Sequence, residues 1–487
     1  MISKKRVAIM VIIIGIVAVC AVSQKINIQQ TESVLNTTPS ENPYLKEYSL
    51  PDNTAPNGLI VDKQGTVWVT SSKSDLLYSF DQNLGQLKSY EIKDGNTLYQ
   101  NPGQNTTMVW TVVSDKDGII WFSPLGTKSV WRFDSTTGSF RSISSATGSA
   151  FQMKVDSGSG NVWYTTLSGN TLNVIEKNAN AQTGYQTSAF DTGNETAPAG
   201  LFLQNDLLWV TEITTQKIIE YNIEHENGTV TRIAKIKEIP IDNQTQLSSP
   251  TDVIVNGDSM WLTEHGTSFL TEYDLATNQV IRYPTSQNVY HATTLPFWIR
   301  GVDNGTGLWF NEHEGNKVAY FDTVNKTMIE YEIPSRPKDG YLTYPLNIAT
   351  DPRDNMILWF SEWNTDKVGK IDGHVQVPFS IYADTNKVVL SPDASKEVSV
   401  NLKITGQSPY STNHVFLNAS SSMVSNAGFA NLDVKISPGT LDLSSSRDAQ
   451  LVLRDYSAPP GNYTLGINAS DGIVTKTIFL DLVIPKS

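Results

Sequence analysis

Cysteine is almost absent from this chain of 487 residues, which contains only Cys20. Because Cys20 lies inside an apolar N-terminal segment, we expect no disulfide bond and no thiol chemistry in the rest of the protein. Positive charge is also scarce, since 36 lysines and arginines stand against 49 aspartates and glutamates, a formal net charge of −13. We therefore expect no nucleic-acid partner, because no basic stripe is present to release counterions.

The one long apolar run comprises the sixteen residues 7–22, directly after Lys4, Lys5 and Arg6. A basic flank stays cytoplasmic, so residues 1–23 are predicted to be a signal anchor, a membrane helix that leaves the bulk of the chain extracellular. The membrane is then a partner through residues 7–22. Alternatively, cleavage after Ser23 by a signal peptidase would make the protein secreted. Polar residues 24–43 are predicted to form a flexible stalk.

Seven tryptophans recur at intervals of 42 to 53 residues, each within a short β-like run. A repeat of about fifty residues built of strands and turns is typical of a β-propeller with one four-stranded sheet per repeat. Gly65, Gly118 and Gly160 each precede a tryptophan by three residues, where a tight hairpin needs a positive φ. The repeated tryptophans, expected to fill the core between blades, are Trp68, Trp121, Trp163, Trp209, Trp261, Trp309 and Trp359.

The last repeat lacks its fourth strand, and the segment before the first repeat can supply one. Residues 45–51, Leu-Lys-Glu-Tyr-Ser-Leu-Pro, match the outer strand of the sixth repeat, residues 328–334, Met-Ile-Glu-Tyr-Glu-Ile-Pro. We predict that residues 45–51 form the outermost strand of the blade that carries Trp359. This pairing would close a ring of seven blades over residues 44–374 and leave no open sheet edge.

After Asp372 the repeat ends, and residues 377–487 show alternating strands with proline–glycine turns. This pattern predicts an immunoglobulin-like β-sandwich without the cysteine pair of antibody domains. The fold class expected for the chain is all-β, a seven-bladed β-propeller followed by a β-sandwich, with an N-terminal membrane helix. Ten sequons fit an extracellular glycoprotein. Their asparagines are Asn36, Asn105, Asn194, Asn227, Asn243, Asn304, Asn325, Asn418, Asn462 and Asn468.

Residues 309–318 and 359–371, which begin Trp-Phe-Asn-Glu and Trp-Phe-Ser-Glu, carry the clearest blade motif. This motif, with the Pro-x-Gly-Leu entries at 56–59 and 198–201, resembles the virginiamycin B lyase (streptogramin lyase) family over residues 44–372. The resemblance implies a seven-bladed propeller. It also implies an enzyme that opens a lactone-type ester in a cyclic peptide antibiotic by magnesium-assisted elimination.

The family's catalytic histidine stands in a Pro-His-Gly-Ile entry to the last blade, with magnesium-binding glutamates nearby. In this chain the entry reads Tyr-Pro-Leu-Asn-Ile, with Leu346 at the histidine position and Tyr344 where an acidic ligand is expected. The preceding entry, where the family also places a histidine, carries Phe297. A leucine cannot abstract a proton, so the same elimination by the same residues is not expected.

Four consecutive blades carry a glutamate three residues after the tryptophan, all on one face of the ring. Together they could hold a divalent cation, Mg²⁺ or Ca²⁺. The alternative is a glutamate–lysine pair within each blade, because a lysine follows eight residues after the tryptophan in three of them. The glutamates are Glu212, Glu264, Glu312 and Glu362, and the lysines are Lys217, Lys317 and Lys367.

The fifth blade breaks this pattern, because Phe269 replaces the lysine and His265 follows Glu264. An unpartnered carboxylate beside a histidine is a candidate for metal binding or acid–base chemistry. We therefore predict Glu264 and Glu312 as metal ligands and His265 and His313 as acid–base groups, with Glu264 directed toward the open face near both histidines. The alternative is a solvated polar rim.

Four aromatic residues, Trp110, Phe297, Trp298 and Trp363, stand at strand entries or exits rather than at the repeated core position. On a solvated rim they would stack on sugars or apolar peptide groups; alternatively they cap the central channel. The function expected is a membrane-anchored or secreted propeller that binds an extracellular small molecule, glycan, peptide or partner protein on one face. The alternatives are a metal-dependent lyase or hydrolase and a structural envelope protein.

Overall fold

The computed structural model describes residues 30–486, except 35, 39–41, 82–84, 95–96, 99–107, 146, 241–246, 289–290, 303–304, 338–341, 392–396 and 407–413. These residues form β-strands and turns, with no α-helix among them. Within the same ranges no helix is long and apolar enough to cross a membrane. The predicted anchor, residues 1–23, lies outside the described residues.

The first half of the ring begins with three N-terminal strands, β1 (Gln30–Val34), β2 (Asn36–Thr38) and β3 (Leu45–Ser49). The first sheet contains β4 (Pro56–Val61), β5 (Val67–Ser71), β6 (Leu76–Asp81) and β7 (Gln86–Glu91), followed by the hairpin β8 (Lys93–Asp94) and β9 (Thr97–Leu98). The second sheet contains β10 (Val112–Ser114), β11 (Ile120–Phe122), β12 (Ser129–Asp134) and β13 (Ser139–Ser144). The third contains β14 (Met153–Val155), β15 (Val162–Thr166), β16 (Thr171–Lys177) and β17 (Tyr185–Asp191).

The second half of the ring repeats this up-and-down order. The fourth sheet contains β18 (Pro198–Gln204), β19 (Leu207–Glu212), β20 (Lys217–Glu226) and β21 (Thr229–Ile239). The fifth contains β22 (Pro250–Asn256), β23 (Ser259–Glu264), β24 (Phe269–Asp274) and β25 (Val280–Pro284). The sixth contains β26 (Pro296–Val302), β27 (Gly307–Glu312), β28 (Lys317–Asp322) and β29 (Thr327–Glu332). The seventh contains β30 (Pro345–Asp351), β31 (Asp354–Glu362) and β32 (Lys367–Asp372).

The innermost strands of these sheets contact one another in chain order, from β4 through β10, β14, β18, β22 and β26 to β30. Strand β30 in turn contacts β4, so the seven sheets form a closed ring, which is the arrangement of a β-propeller. The hairpins that need positive φ have it, with 85° at Gly65, 79° at Gly118 and 79° at Gly160. This confirms the turn prediction made from the glycine positions.

The repeated tryptophans lie between neighbouring sheets. Trp68 is 5.6 Å from the ring of Phe133 in the next sheet, and Trp261 is 5.2 Å from Phe321 in the next. Trp359 of the seventh sheet is 5.6 Å from Phe80 of the first, which packs the two ends of the ring together. All seven tryptophans are at most 4 % exposed, so they form the core between sheets, as predicted.

The ring closes through the N-terminal segment. Strand β3 pairs antiparallel with β32, with Leu45 opposite Ile371, as predicted from the sequence match. The prediction that this strand is outermost is wrong, because β2 pairs along its free edge. Strand β1 pairs with the outer edge of β7 in the first sheet. Residues 30–34 and 36–38 of the predicted flexible stalk are therefore strands, since two unpaired sheet edges offered them hydrogen bonds.

The remaining strands form two sheets. One contains β33 (Phe379–Ala383), β35 (Glu397–Gly406), β37 (Leu432–Ser437) and β39 (Asp448–Asp455). The other contains β34 (Lys387–Val389), β36 (His414–Ser421), β38 (Thr440–Asp442), β40 (Gly461–Ser470) and β41 (Val474–Ile484). Both contribute side chains to one hydrophobic cluster, which includes Leu402, Leu451, Leu465 and Leu482.

The C-terminal strands are joined to the ring by a continuous sheet. Strand β41 pairs antiparallel with β29, with Glu330 opposite Thr475, so the sixth sheet continues into the C-terminal part. Phe479 of β41 packs 5.2 Å from the ring of Tyr283 in the fifth sheet. The backbone amide of Ser268 donates a hydrogen bond to the carbonyl of Ser425 over 2.7 Å. Hydrogen bonds and apolar packing thus both hold this junction.

Candidate functional site

An aromatic cluster occupies the face of the ring where the innermost strands begin. Trp110 of the second sheet lies 5.4 Å from Phe151 of the third and 5.8 Å from Phe297 of the sixth, measured between ring centroids. Trp298 follows Phe297 and lies 5.4 Å from Phe151. Residues remote in sequence meet here because all the innermost strands surround the same axis.

Two histidines pack against this aromatic cluster. The ring of Phe297 is 4.6 Å from His265 and 4.1 Å from His313, and the two imidazoles are 5.2 Å apart. Burial lowers the pKa of His265 to about 4. Burial also lowers the pKa of His313 well below its usual value, with a smaller effect from His265. Both rings are therefore neutral at pH 7, and neither is suited to give up a proton there.

Glu264 does not face the open side of the ring, and the prediction that it lacks a partner is wrong. Its side chain is fully buried, and Oε1 accepts hydrogen bonds from Arg282 Nε over 2.8 Å and from Thr271 Oγ1 over 2.5 Å. Its Oε2 accepts a hydrogen bond from the backbone amide of Ser248 over 2.6 Å. Arg282, on the fourth strand of the same sheet, supplies the cation that Phe269 cannot.

The predicted glutamate–lysine pairs within the blades are also wrong, because each lysine binds a different glutamate on the outer strand. The three ion pairs are Lys217 with Glu238, Lys317 with Glu330 at 3.3 Å, and Lys367 with Glu47 at 2.8 Å. In each pair the lysine starts the third strand and the glutamate lies on the neighbouring outer strand. The glutamate is directly opposite the residue that follows the lysine by two positions. The glutamate at the end of the second strand is left without a cation of its own.

Glu312 and Glu362 consequently sit beside a second carboxyl group in the protein interior. Burial, and then the neighbouring carboxyl of Glu330, raise the pKa of Glu312 well above its usual value. Burial and Glu47 raise the pKa of Glu362 to about 8. Among the described residues no three metal-ligating side chains come together as a metal site. The predicted ligands Glu264 and Glu312 belong to separate sheets and separate bonding groups.

A cleft of about 400 Å³ opens between the second and third sheets, beside the aromatic cluster. The half-buried Trp110 and the buried Phe151 form part of its wall, and Leu125 contributes an exposed apolar side chain. The other residues that line it are Gly126, Thr127, Lys128, Gly148, Ser149, Ala150, Leu167 and Ser168. The structure therefore places Trp110, one of the four predicted aromatic residues, in the wall of this cleft.

The other three aromatic residues lie elsewhere. Phe297 is 4 % exposed and Trp298 is 1 % exposed, so both belong to the packed centre, in line with the alternative that they cap the channel. Trp363 is half-buried and lies 6.5 Å from Tyr344, apart from the Trp110 cluster. Leu346, at the family's histidine position, is 6 % exposed.

Phe151 and Lys128 were not predicted from the sequence. The innermost strands β4, β18, β22, β26 and β30 each begin with a proline, whereas β14 of the third sheet begins at Met153, so its register was harder to assign. Lys128 lies in the turn between β11 and β12, where nothing in the repeat marks a site. Their shared signal is a departure from the repeat in the second and third blades.

Beneath the aromatic cluster, polar side chains connect the sheets across the ring. Gln152 Nε2 donates to Asp252 Oδ1 over 2.7 Å, and Arg300 Nη1 donates to Asp252 Oδ2 over 3.0 Å. Asn347 Nδ2 donates to the carbonyl of Trp110 over 2.6 Å. These hydrogen bonds fix the backbone that carries Trp110, so the wall of the cleft is held by the centre of the ring.

No protein-family model matches this chain, and no curated protein does. Among solved structures, a streptogramin B lyase is 21 % identical, with a TM-score of 0.52 over 67 % of this chain and 96 % of that chain. A selenomethionine-substituted virginiamycin B lyase from Staphylococcus aureus is 21 % identical, with a TM-score of 0.51 over 67 % of this chain and 98 % of that one. A catalytically inactive form of that enzyme with quinupristin is 22 % identical, with a TM-score of 0.51 over the same shares, 67 % and 98 %. These similarities show the β-propeller fold.

Proposed function

We propose that this chain is an extracellular seven-bladed β-propeller that binds a ligand in the cleft beside Trp110. The closed ring of seven sheets supports the blade count, and the two C-terminal sheets around one hydrophobic cluster support an immunoglobulin-like sandwich. Residues 1–23 would anchor the protein in the membrane, or release it if cleaved. The membrane and an extracellular small molecule, glycan, peptide or protein would be its partners.

The observation that carries the binding proposal is the half-buried ring of Trp110 in the wall of a cleft of about 400 Å³. A concave site lined mainly by apolar side chains, with a few polar groups at its rim, is the usual form of a small-ligand site. Trp110 offers an aromatic face on which an apolar group or a sugar ring can stack. Its backbone is held by Asn347, so the surface is preorganised.

The lyase or hydrolase alternative has less support from the same face. Leu346 occupies the position of the family's base, Glu264 is bonded to Arg282, and His265 and His313 are buried and neutral. A general base needs reach and a pKa near the working pH; Leu346 has no basic group, both oxygens of Glu264 accept hydrogen bonds in the interior, and burial lowers the pKa of both histidines. We therefore place binding before catalysis.

Glycosylation would follow from the extracellular location. Asn194, Asn227, Asn325 and Asn462 are exposed on turns or strand ends and could accept a glycan. Asn468 is fully buried and donates to Asn418 Oδ1 over 2.6 Å, so we expect this sequon to remain unmodified. Peptide mass spectrometry of the native protein would distinguish the two groups.

The binding proposal is tested with the purified chain and saturation-transfer NMR. The probes are 1-naphthylacetamide, trileucine and chitobiose, which represent an apolar ring, an apolar peptide and a glycan. If the cleft is the site, Trp110→Ala should weaken binding of the accepted probe about tenfold or more, as for other aromatic anchors. Trp363→Ala, a half-buried tryptophan outside the cleft, is the matched control and should bind normally. Equal binding by both variants would contradict the proposal.

A further inference from the structure

Among the described residues that line the cleft beside Trp110, one is charged. Lys128 is exposed at its rim, in the turn between β11 and β12, and every other lining residue is uncharged. Within the described part of the chain, the ammonium group of Lys128 makes no hydrogen bond and no ion pair. The cleft therefore joins an apolar wall to one available positive charge.

The positive charge in the cleft is opposite in sign to the formal net charge of the whole chain, which is −13. The described residues that line the cleft include no carboxylate to neutralise Lys128. At physiological ionic strength charges interact over about 8 Å, so a molecule bound in the cleft would experience Lys128 more strongly than carboxylates that lie farther away than this. The local field thus favours an anion, even though the whole protein is acidic.

We propose that the cleft binds an apolar molecule that carries a carboxylate. Trp110, Phe151 and Leu125 would contact its apolar part, and Lys128 would pair with its acid group. The inference rests on the proposed function, since it specifies the ligand of the same cleft. The volume of the cleft, about 400 Å³, is near the lower end for small-ligand sites and so limits the size of the molecule that it can bind.

Two sources offer this chemistry. One is a free aromatic or aliphatic acid, and the other is the C-terminal residue of an apolar peptide. Both present a carboxylate a short distance from an apolar group, and both would use Trp110 and Lys128 in the same way. An exposed ion pair adds little affinity, so Lys128 would act mainly as a selectivity residue while Trp110 supplies most of the binding.

The test compares acids with their neutral amides on the full chain, by isothermal titration calorimetry. The small probes are 1-naphthylacetate and 1-naphthylacetamide, and the peptide probes are N-acetyl-Leu-Phe with a free or an amidated C-terminus. The acid should bind about two- to fivefold more tightly than the amide, the usual contribution of an exposed ion pair. This preference should shrink in 1 M salt, where screening acts over about 3 Å.

The variants separate selectivity from affinity. Lys128→Met should remove the preference for the acid while the amide binds as before. Lys116→Met, an exposed lysine of the same sheet in the turn between β10 and β11, is the matched control and should keep the preference. Trp110→Ala should weaken acid and amide together.

Each outcome decides one of the two proposals. If acid and amide bind equally, and both depend on Trp110, the carboxylate inference is overturned while the binding function stands. If no probe binds in a way that depends on Trp110, the binding function fails and the inference fails with it. A preference for the acid that Lys128→Met removes supports both, and the tighter of the two acids then identifies the source.

Discussion

The fifth and sixth sheets place charged residues at the same positions but balance them differently. Three positions are compared in each sheet: the end of the second strand, the start of the third strand and a site on the fourth strand. In the fifth sheet they hold Glu264, Phe269 and Arg282, so one buried carboxylate meets one cation. In the sixth they hold Glu312, Lys317 and Glu330, so two carboxyl groups share one cation.

The hydrogen bonds show which carboxyl group of the sixth sheet is satisfied. Glu330 Oε1 accepts from the backbone amide of Ser286 over 3.0 Å, from its hydroxyl over 2.8 Å, and from Lys317. Neither oxygen of Glu312 receives a hydrogen bond from an N–H group or an alcohol hydroxyl of the described residues, and its hydrogen-bonding neighbour is the carboxyl group of Glu330. Two buried carboxyl groups beside one cation cannot both be ionised without repulsion, so one of them keeps its proton. In the sixth sheet this proton neutralises charge, as Arg282 does in the fifth.

The seventh sheet repeats the arrangement of the sixth. Glu47 accepts from the amide of Ser335 over 3.1 Å, from its hydroxyl over 2.7 Å, and from Lys367 over 2.8 Å. Glu362 lies beside it, with one oxygen accepting a hydrogen bond from Thr365, and its carboxyl group also hydrogen-bonds with that of Glu47. The comparison shows that similar blades neutralise the buried carboxyl group at the end of the second strand with either a cation or a proton.

The largest effect should come from removing the cation of the fifth sheet. Arg282→Met would leave the fully buried carboxylate of Glu264 without its ion pair, which typically costs about 3–5 kcal/mol of unfolding free energy. Urea denaturation measures the loss. Arg232→Met is the control, because Arg232 pairs with Glu224 on the surface and should change stability by about 0–1 kcal/mol. Equal losses in the two variants would show that Glu264 is stabilised in another way.

The sixth and seventh sheets should make stability depend on pH in a predictable direction. The pKa values of Glu312 and Glu362 are raised in the folded protein, so the folded state binds more protons than the unfolded state above the ordinary glutamate pKa. The contribution of these two groups to the free energy of unfolding is fully present below about pH 4.3, the ordinary pKa of glutamate. It is lost as pH rises through the folded-state pKa, about 8 for Glu362. The free energy of unfolding should therefore be lower at pH 9 than at pH 6.

Glu362→Gln tests this assignment, because an amide keeps the shape of the protonated acid and cannot ionise. At pH 9 the variant should be more stable than the unmodified protein by about 1–3 kcal/mol, and the difference should shrink toward pH 5. Chemical denaturation across this range measures it. Glu224→Gln, on the surface, is the control and should show no such trend. A gain that does not change with pH would contradict a protonated Glu362.

The smallest effect should come from the fourth sheet, where the corresponding pair is exposed to solvent. Lys217 and Glu238 keep 42 % and 36 % of their side-chain surface exposed. Lys217→Met should therefore change the unfolding free energy by about 0–1 kcal/mol. Lys317→Met removes the equivalent buried lysine and should cost clearly more in the same denaturation experiment. Similar losses would mean that burial does not distinguish these sheets.

The sequence predicted the parts of the fold that depend on local pattern. Tryptophan spacing and strand alternation identified the blades, and the match between two outer strands predicted the pairing of β3 with β32. The partner of Glu264 was not predicted, because Arg282 lies on a strand whose register relative to Glu264 depends on the hairpin between them. The pairing of β29 with β41 joins two edges that no sequence repeat relates. The neutral state of the histidines follows from burial, which the sequence pattern did not reveal.

The strand pairings set the order in which the chain can complete its structure during synthesis. Strand β3 emerges early, yet its partner β32 is made near residue 370. At about 5–20 residues per second, β3 waits roughly a quarter of a minute to a minute. The edge of β29 then waits for β41, which is made after every strand of the ring. The sixth sheet therefore acquires its last neighbour only after the whole ring has been made, and a chain that ends after residue 372 never acquires it.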